Sequence, residues 1–146
     1  MKNPPSISRR FLRSVNLVRD RQSDHGLEGY VVTASVRQAL ARLGQGLGGT
    51  RHDRAFTLTG PYGTRKSSFA LFLYHLLRHP NGQAWTVLRK ADPRLADDFR
   101  SVVWPERFPG GYACLVATAS TRQSVPELLA DVCPFAAAYI TSNWLA

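Results

Sequence analysis

Cysteines are scarce in this sequence, and it contains no long apolar run. The two cysteines, Cys114 and Cys133, lie in apolar surroundings and lack the CxxC spacing of a zinc site. This argues against a disulfide framework and predicts two reduced core thiols. No apolar stretch approaches the roughly 18 residues that a membrane-spanning helix requires. We therefore expect a cytoplasmic protein with no membrane partner.

Acidic residues are also few, with 10 Asp and Glu against 19 Lys and Arg and a formal net charge of +9. A basic surface attracts polyanions, which include nucleic acids and nucleotide phosphates. Residues 1–30 are polar and basic, and we interpret them as a lead-in to a domain that spans residues 31–146. The charge by itself leaves DNA, RNA and nucleotides open as partners.

The segment TASVRQALARLGQGLGG, which begins at position 33, predicts a helix. Thr33 or Ser35 can cap its first turn, and Val36, Leu40 and Leu43 recur on one face. The glycines from position 44 onward should end the helix. The stretch GQGLGG matches the dinucleotide pattern G-x-G-x-x-G, but it follows a helix instead of a strand, so we interpret it as a loop.

The rest of the chain predicts strands that alternate with helices. Strands are expected in AFTLTG (55–60), AWTVLRK (84–90) and YACLVATAS (112–120). Helices are expected in SSFALFLYHLLRH (67–79) and in DPRLADDFRSVVW (92–104), which Asp92 caps and Pro93 opens. The segment STRQSVPELLADVC (120–133) predicts a loop followed by a helix that Ser124 caps. This order predicts an α/β fold with a parallel sheet flanked by helices.

A phosphate-binding loop is the strongest motif in the chain. The stretch GPYGTRKSS follows a predicted strand and opens a predicted helix, as the pattern G-x-x-x-x-G-K-[ST] requires. Glycines let backbone N–H groups point at phosphate oxygens, and a helix start adds free N–H groups. We expect Lys66 to contact the β and γ phosphates and to stabilise their charge in any reaction, Ser67 to bind Mg²⁺, and Ser68 to contact the α-phosphate. The predicted binding residues are Gly60, Pro61, Tyr62, Gly63, Thr64, Arg65, Lys66, Ser67 and Ser68.

Arg65 departs from this pattern, because it stands where the second glycine belongs. The backbone there is expected to take a positive φ, which costs a residue with a Cβ on the order of 1–2 kcal/mol. The guanidinium adds a positive charge near the anion and offsets part of that cost. We therefore expect weakened nucleotide binding instead of its abolition.

The segment FTLTGPYGTRKSSFALFLYHLL resembles the first strand, phosphate-binding loop and first helix of P-loop ATPases of the AAA type. It looks most like large bacterial ATP-binding proteins, including some associated with phage defence. The resemblance implies a P-loop NTPase core, with ATP and Mg²⁺ as ligands. It also implies hydrolysis in a longer parent protein, and it leaves an oligomer or a partner protein open. The positions that match the family are Gly60, Gly63, Lys66, Ser67 and Ser68.

Hydrolysis requires a second acidic motif, and the sequence offers no convincing one. That motif is an apolar strand that ends in Asp, usually with Glu as the next residue. Asp131 is followed by valine instead, and a proline interrupts the apolar run before Glu106. The apolar end AAAYITSNWLA predicts an incomplete, N-terminal portion of a longer ATPase. The alternative function is a non-catalytic basic module that binds nucleic acid and keeps the loop as scaffold.

His75 and His79 have the i, i+4 spacing of metal ligands. Their position at the end of a predicted helix, where the helix dipole favours cationic side chains, explains them better.

Overall fold

The computed structural model describes residues 15–22, 27, 29–49, 55–61, 65–106, 112, 114 and 116. These residues form five helices: α1 (Leu17–Asp20), α2 (Ala34–Leu47), α3 (Lys66–Arg78), α4 (Gln83–Ala91) and α5 (Pro93–Val103). None of the described residues belongs to a strand. The α/β fold with a parallel sheet is therefore a wrong prediction for this part of the chain, which is all helical, and the predicted P-loop NTPase core fails with it.

The helices pack around one apolar core, and each contacts at least one of the others. Helix α5 contacts both α2 and α4, and α3 contacts both α4 and α1. The fully buried side chains at these contacts include Leu40, Phe72, Leu76, Leu88 and Phe99. Burial of such side chains is the main source of stability for helices of this length.

Two helix starts follow the sequence prediction. Thr33 caps α2, because its side chain accepts a hydrogen bond from the N–H of Val36. Asp92 caps α5 in the same way, with its carboxylate 3.0 Å from the N–H of Leu95, and Pro93 occupies the first turn. Each cap satisfies an N–H group that the helix itself leaves free.

The end of α2 differs from the prediction, since the helix runs through Gly44 and Gly46 to Leu47. GQGLGG is therefore helical over its first four residues, and the loop interpretation was wrong there. Close packing explains the first glycine: a Cβ on Gly44 would lie 3.3 Å from Cδ2 of Phe99 on α5. The helix ends only at Gly48 and Gly49, the second of which has a φ of +76°.

The segment 84–90 is the second correction, because it lies in α4 and not in a strand. Ala84, Trp85 and Leu88 are buried, while Thr86 and Arg89 are exposed. Burial at positions i, i+1 and i+4 follows one face of a helix, whereas a half-buried strand would alternate. The tertiary contacts with α3 and α5 thus determine the conformation of this apolar segment.

The other predicted strands are not formed by the described residues. Residues 55–60 form no regular element, and Phe56 and Leu58 are 43% and 49% exposed. Of residues 112–120, only Tyr112, Cys114 and Val116 are described, and they are not in strands. The helix predicted at 120–133 lies outside the described residues. Within the described part of the chain, no helix is long and apolar enough to cross a membrane.

Candidate functional site

Lys66 holds together the two ends of the predicted phosphate-binding loop. Its ammonium nitrogen Nζ donates to the carbonyl oxygen of Gly60 at 2.7 Å and to that of Pro61 at 2.8 Å. Gly60 has a φ of 157°, a value that favours glycine. Lys66 is also the first residue of α3, so the start of the helix and the start of the loop are joined directly.

Arg65 adopts the left-handed conformation that the motif requires at this position, with φ 59° and ψ 27°. Among the described residues it is the only non-glycine residue with a positive φ. That conformation costs an L-residue roughly 1–2 kcal/mol. Arg65 therefore occupies a glycine position without changing the backbone conformation there, and the side chain it adds is exposed.

A cavity of about 400 Å³ lies between this loop and the segment that leads into α2. Arg65 and Lys66 contribute positive charge to its lining, and Thr33, Ser35 and Thr59 are hydroxyl-bearing residues of the same lining. Most of the other lining residues are apolar or aromatic, among them Tyr30, Val36, Leu58 and Phe69. No carboxylate is among the described residues that line it. The cavity can therefore accept a ligand that combines an anionic group with a flat or apolar one.

Tyr30 forms one wall of the cavity, and its ring packs against the apolar core. Its ring stacks on Phe72 with centroids 4.4 Å apart and an interplanar angle of 20°. Burial raises the pKa of the Tyr30 hydroxyl from 10.0 to about 12, and the positive charge of Arg65 acts in the opposite direction. The hydroxyl thus stays protonated at neutral pH and can donate a hydrogen bond.

The raised pKa of Tyr30 predicts a loss of stability at high pH. The hydroxyl is protonated in both states below pH 10.0, and between there and about pH 12 the unfolded chain ionises first. The free energy of unfolding should therefore fall across this window, and Tyr30→Phe should remove that part of the fall. Urea denaturation at pH 9, 10 and 11 measures it, with Tyr74→Phe as the control that keeps Tyr30. Equal pH slopes for Tyr30→Phe and the parent would contradict the assignment.

The remaining predicted site residues are only partly placed. Ser67 is exposed and Ser68 half-buried, both in the first turn of α3, and neither is among the residues that line the cavity. Tyr62, Gly63 and Thr64 lie outside the described residues, as does Asp131. Glu106 is exposed beyond the end of α5 and does not line the cavity. The structure therefore brings no candidate water-activating acid to this site from the described residues.

The histidine pair lies at the opposite end of α3. His75 is 1% exposed and His79 is exposed, and their ring centroids are 5.4 Å apart. Both line a second cavity of about 440 Å³, together with Arg21 and Asn81. Among the described residues there is no group of three metal-binding side chains.

Burial raises the pKa of the half-buried Cys114 thiol, which agrees with an unreactive cysteine, and Cys133 lies outside the described residues.

Sequence reasoning identified the loop but missed the opposite wall of the cavity. That wall comes from Tyr30, Val31 and the start of α2, which lie about 30 residues earlier in the chain. The available signal was the apolar stretch YVV directly before a capped helix. Nothing in the local pattern indicated that this stretch faces the loop.

The resemblance to AAA-type ATPases is confined to the sequence of the loop and its helix. Helix α3 follows the loop as the motif requires, whereas residues 55–60, where the preceding strand was expected, form no strand. The chain matches no protein-family model, no curated protein and no solved structure.

Proposed function

We propose that the chain binds a nucleoside triphosphate, Mg-ATP, in the cavity between residues 30–39 and the loop before α3. The observation that supports this is the composition of the cavity lining, which combines two cations, Arg65 and Lys66, with aromatic and apolar side chains. A nucleotide combines the matching parts, an anionic phosphate chain and a flat base that packs on apolar side chains. The volume of about 400 Å³ lies in the range of small-ligand pockets.

The chain supplies three kinds of phosphate contact in this proposal. Arg65 and Lys66 provide charge, and the free N–H groups at the start of α3 provide hydrogen bonds and the positive end of the helix dipole. Ser67 is exposed in the first turn, where its hydroxyl can bind Mg²⁺, and Ser68 lies beside it for the α-phosphate. Because none of the described residues that line the cavity is acidic, the proposal concerns binding.

Three further expectations belong to the same proposal. Hydrolysis would occur in a longer parent protein of the AAA-like kind that the loop resembles, where Lys66 stabilises the charge of the transferred phosphate. The acid for hydrolysis would then come from the longer chain or from a partner protein, and an oligomer stays open. The cytoplasm is the expected location, because it supplies Mg-ATP and keeps cysteines reduced.

Calorimetric titration of Mg-ATP into the parent chain and into Lys66→Ala tests the proposal. The parent should bind, and Lys66→Ala should bind about tenfold or more weakly, because a hydrogen bond to a charged group contributes about 1.5–3 kcal/mol. Lys90→Ala is the matched control, since it removes an exposed lysine of α4 that does not line the cavity. Circular dichroism checks that both variants keep their helices.

Two outcomes would contradict nucleotide binding. One is the absence of binding heat from a folded parent chain at millimolar Mg-ATP. The other is an equal loss of affinity in Lys66→Ala and Lys90→Ala, which would indicate a general effect of charge. In either case a titration with a DNA or RNA oligonucleotide should follow, because the net charge of +9 supports the alternative. Nucleic-acid binding would weaken steeply as salt is raised.

A further inference from the structure

Arg65 and Lys66 are adjacent cations with different surroundings. The Lys66 ammonium donates to the carbonyl oxygens of Gly60 and Pro61, so two of its three N–H groups hold the loop. Arg65 lines the same cavity and is exposed, and its guanidinium makes no hydrogen bond or ion pair with the described residues. The cation that the pattern assigns to phosphate is thus engaged with the loop, and the additional cation faces the cavity.

The backbone of Arg65 gives a second reason to assign it a role. A non-glycine residue with a φ of 59° is strained, and glycine at the same position would relieve that strain. Strained residues of this kind concentrate at binding sites, where the side chain contributes more than the strain costs. Here the side chain that the strain accommodates is an exposed guanidinium that lines the cavity.

The chemistry of the guanidinium suits a polyphosphate. Arginine presents five N–H donors in a planar fork that can donate two parallel hydrogen bonds to a phosphate, whereas lysine acts as a point charge. Arg65 lines the same cavity as the Tyr30 ring. An anion in the cavity would therefore meet the guanidinium.

Resting on the proposed nucleotide site, we propose that Arg65 is the principal phosphate-contacting side chain and that Lys66 acts mainly as a brace between the start of α3 and the carbonyl groups of Gly60 and Pro61. This assignment reverses the usual roles within the motif. It also reverses the expectation that Arg65 weakens binding.

Titrations of Mg-ATP and of inorganic tripolyphosphate into the parent chain, Arg65→Gly and Arg65→Lys test this assignment. Arg65→Gly restores the glycine of the standard pattern, so it removes the strain together with the guanidinium. We expect it to melt at a higher temperature than the parent and to bind both ligands at least about tenfold more weakly. Arg65→Lys keeps a charge and the strain but loses the fork, and it should bind with intermediate affinity.

Arg78→Ala is the matched control, because it removes an exposed arginine at the far end of the same helix. Its affinity for both ligands should stay within about twofold of the parent, since the site lies about 20 Å away at 1.5 Å per residue. A parent that binds Mg-ATP together with an Arg65→Gly that binds it equally or more tightly would overturn the role of Arg65 and leave the nucleotide site standing. If neither the folded parent nor any variant bound Mg-ATP or tripolyphosphate, both proposals would be overturned.

Discussion

Phe72→Ala should lower the free energy of unfolding by about 3–5 kcal/mol, the range for removing a large aromatic side chain from a core. Phe72 is fully buried in the middle of α3, and its ring stacks on Tyr30 at 4.4 Å. The substitution therefore removes core packing and an aromatic pair together. For a small domain with a typical stability of about 5–15 kcal/mol, the loss is a large fraction of the total. Urea denaturation followed by circular dichroism measures it.

Phe72→Leu separates the two contributions of the ring. Leucine keeps much of the buried apolar volume, so this variant should lose markedly less stability than Phe72→Ala. Part of its remaining loss reflects the stacked pair, which contributes about 0.5–1.5 kcal/mol beyond simple burial. Equal and small losses in both variants, below about 1 kcal/mol, would show that Phe72 does not support α3 and Tyr30 as described.

Helices with strong local signals were predictable from the sequence. Thr33 and Asp92 cap helices whose apolar residues recur at helical spacing, and α3 combines such spacing with a clear stop at the turn around Pro80. These signals depend on neighbours within four residues. The predicted helices agree with the structure because the tertiary contacts bury the same face on which the apolar residues recur.

The predicted fold class was wrong because it depended on segments whose sequence gives only a weak signal for strand or helix. The segment AWTVLRK contains aromatic and β-branched residues that are common in strands, yet it forms most of α4. Its conformation depends on where Trp85 and Leu88 are buried, and Phe99 of α5 lies 6.2 Å from Trp85 between ring centroids. The parallel sheet was inferred from this segment together with residues 55–60 and 112–120, and the described residues of all three segments form no strand.

The candidate site was predictable on one side only. The loop pattern led directly to Gly60, Arg65 and Lys66, because its spacing is a local property of the chain. The opposite wall depends on the packing of Tyr30 against Phe72, a contact between residues more than 40 positions apart. No local pattern reports such a contact, and the cavity follows from it.

The helical conformation of α4 predicts a large effect for Arg89→Pro, which should cost about 3 kcal/mol or more. Within a helix the N–H of residue 89 donates to the carbonyl oxygen four residues earlier, which belongs to Trp85. Proline removes that donor, and its ring collides with the carbonyl. The disruption would fall between Trp85 and Leu88, whose side chains anchor α4 in the core. Urea denaturation gives the loss, and the far-UV circular dichroism signal should fall with it.

Arg89→Ala is the control that separates the backbone effect from the loss of the side chain. Arg89 is largely exposed and lies 3.9 Å from the exposed carboxylate of Asp97, an ion pair of a kind that contributes about 0–1 kcal/mol. Alanine is also the best helix former, so Arg89→Ala should remain within about 1 kcal/mol of the parent. An edge strand tolerates proline where its N–H faces solvent. If Arg89→Pro were therefore as stable as Arg89→Ala, the helix at 83–91 would be wrong, and the strand predicted from the sequence would again have to be considered.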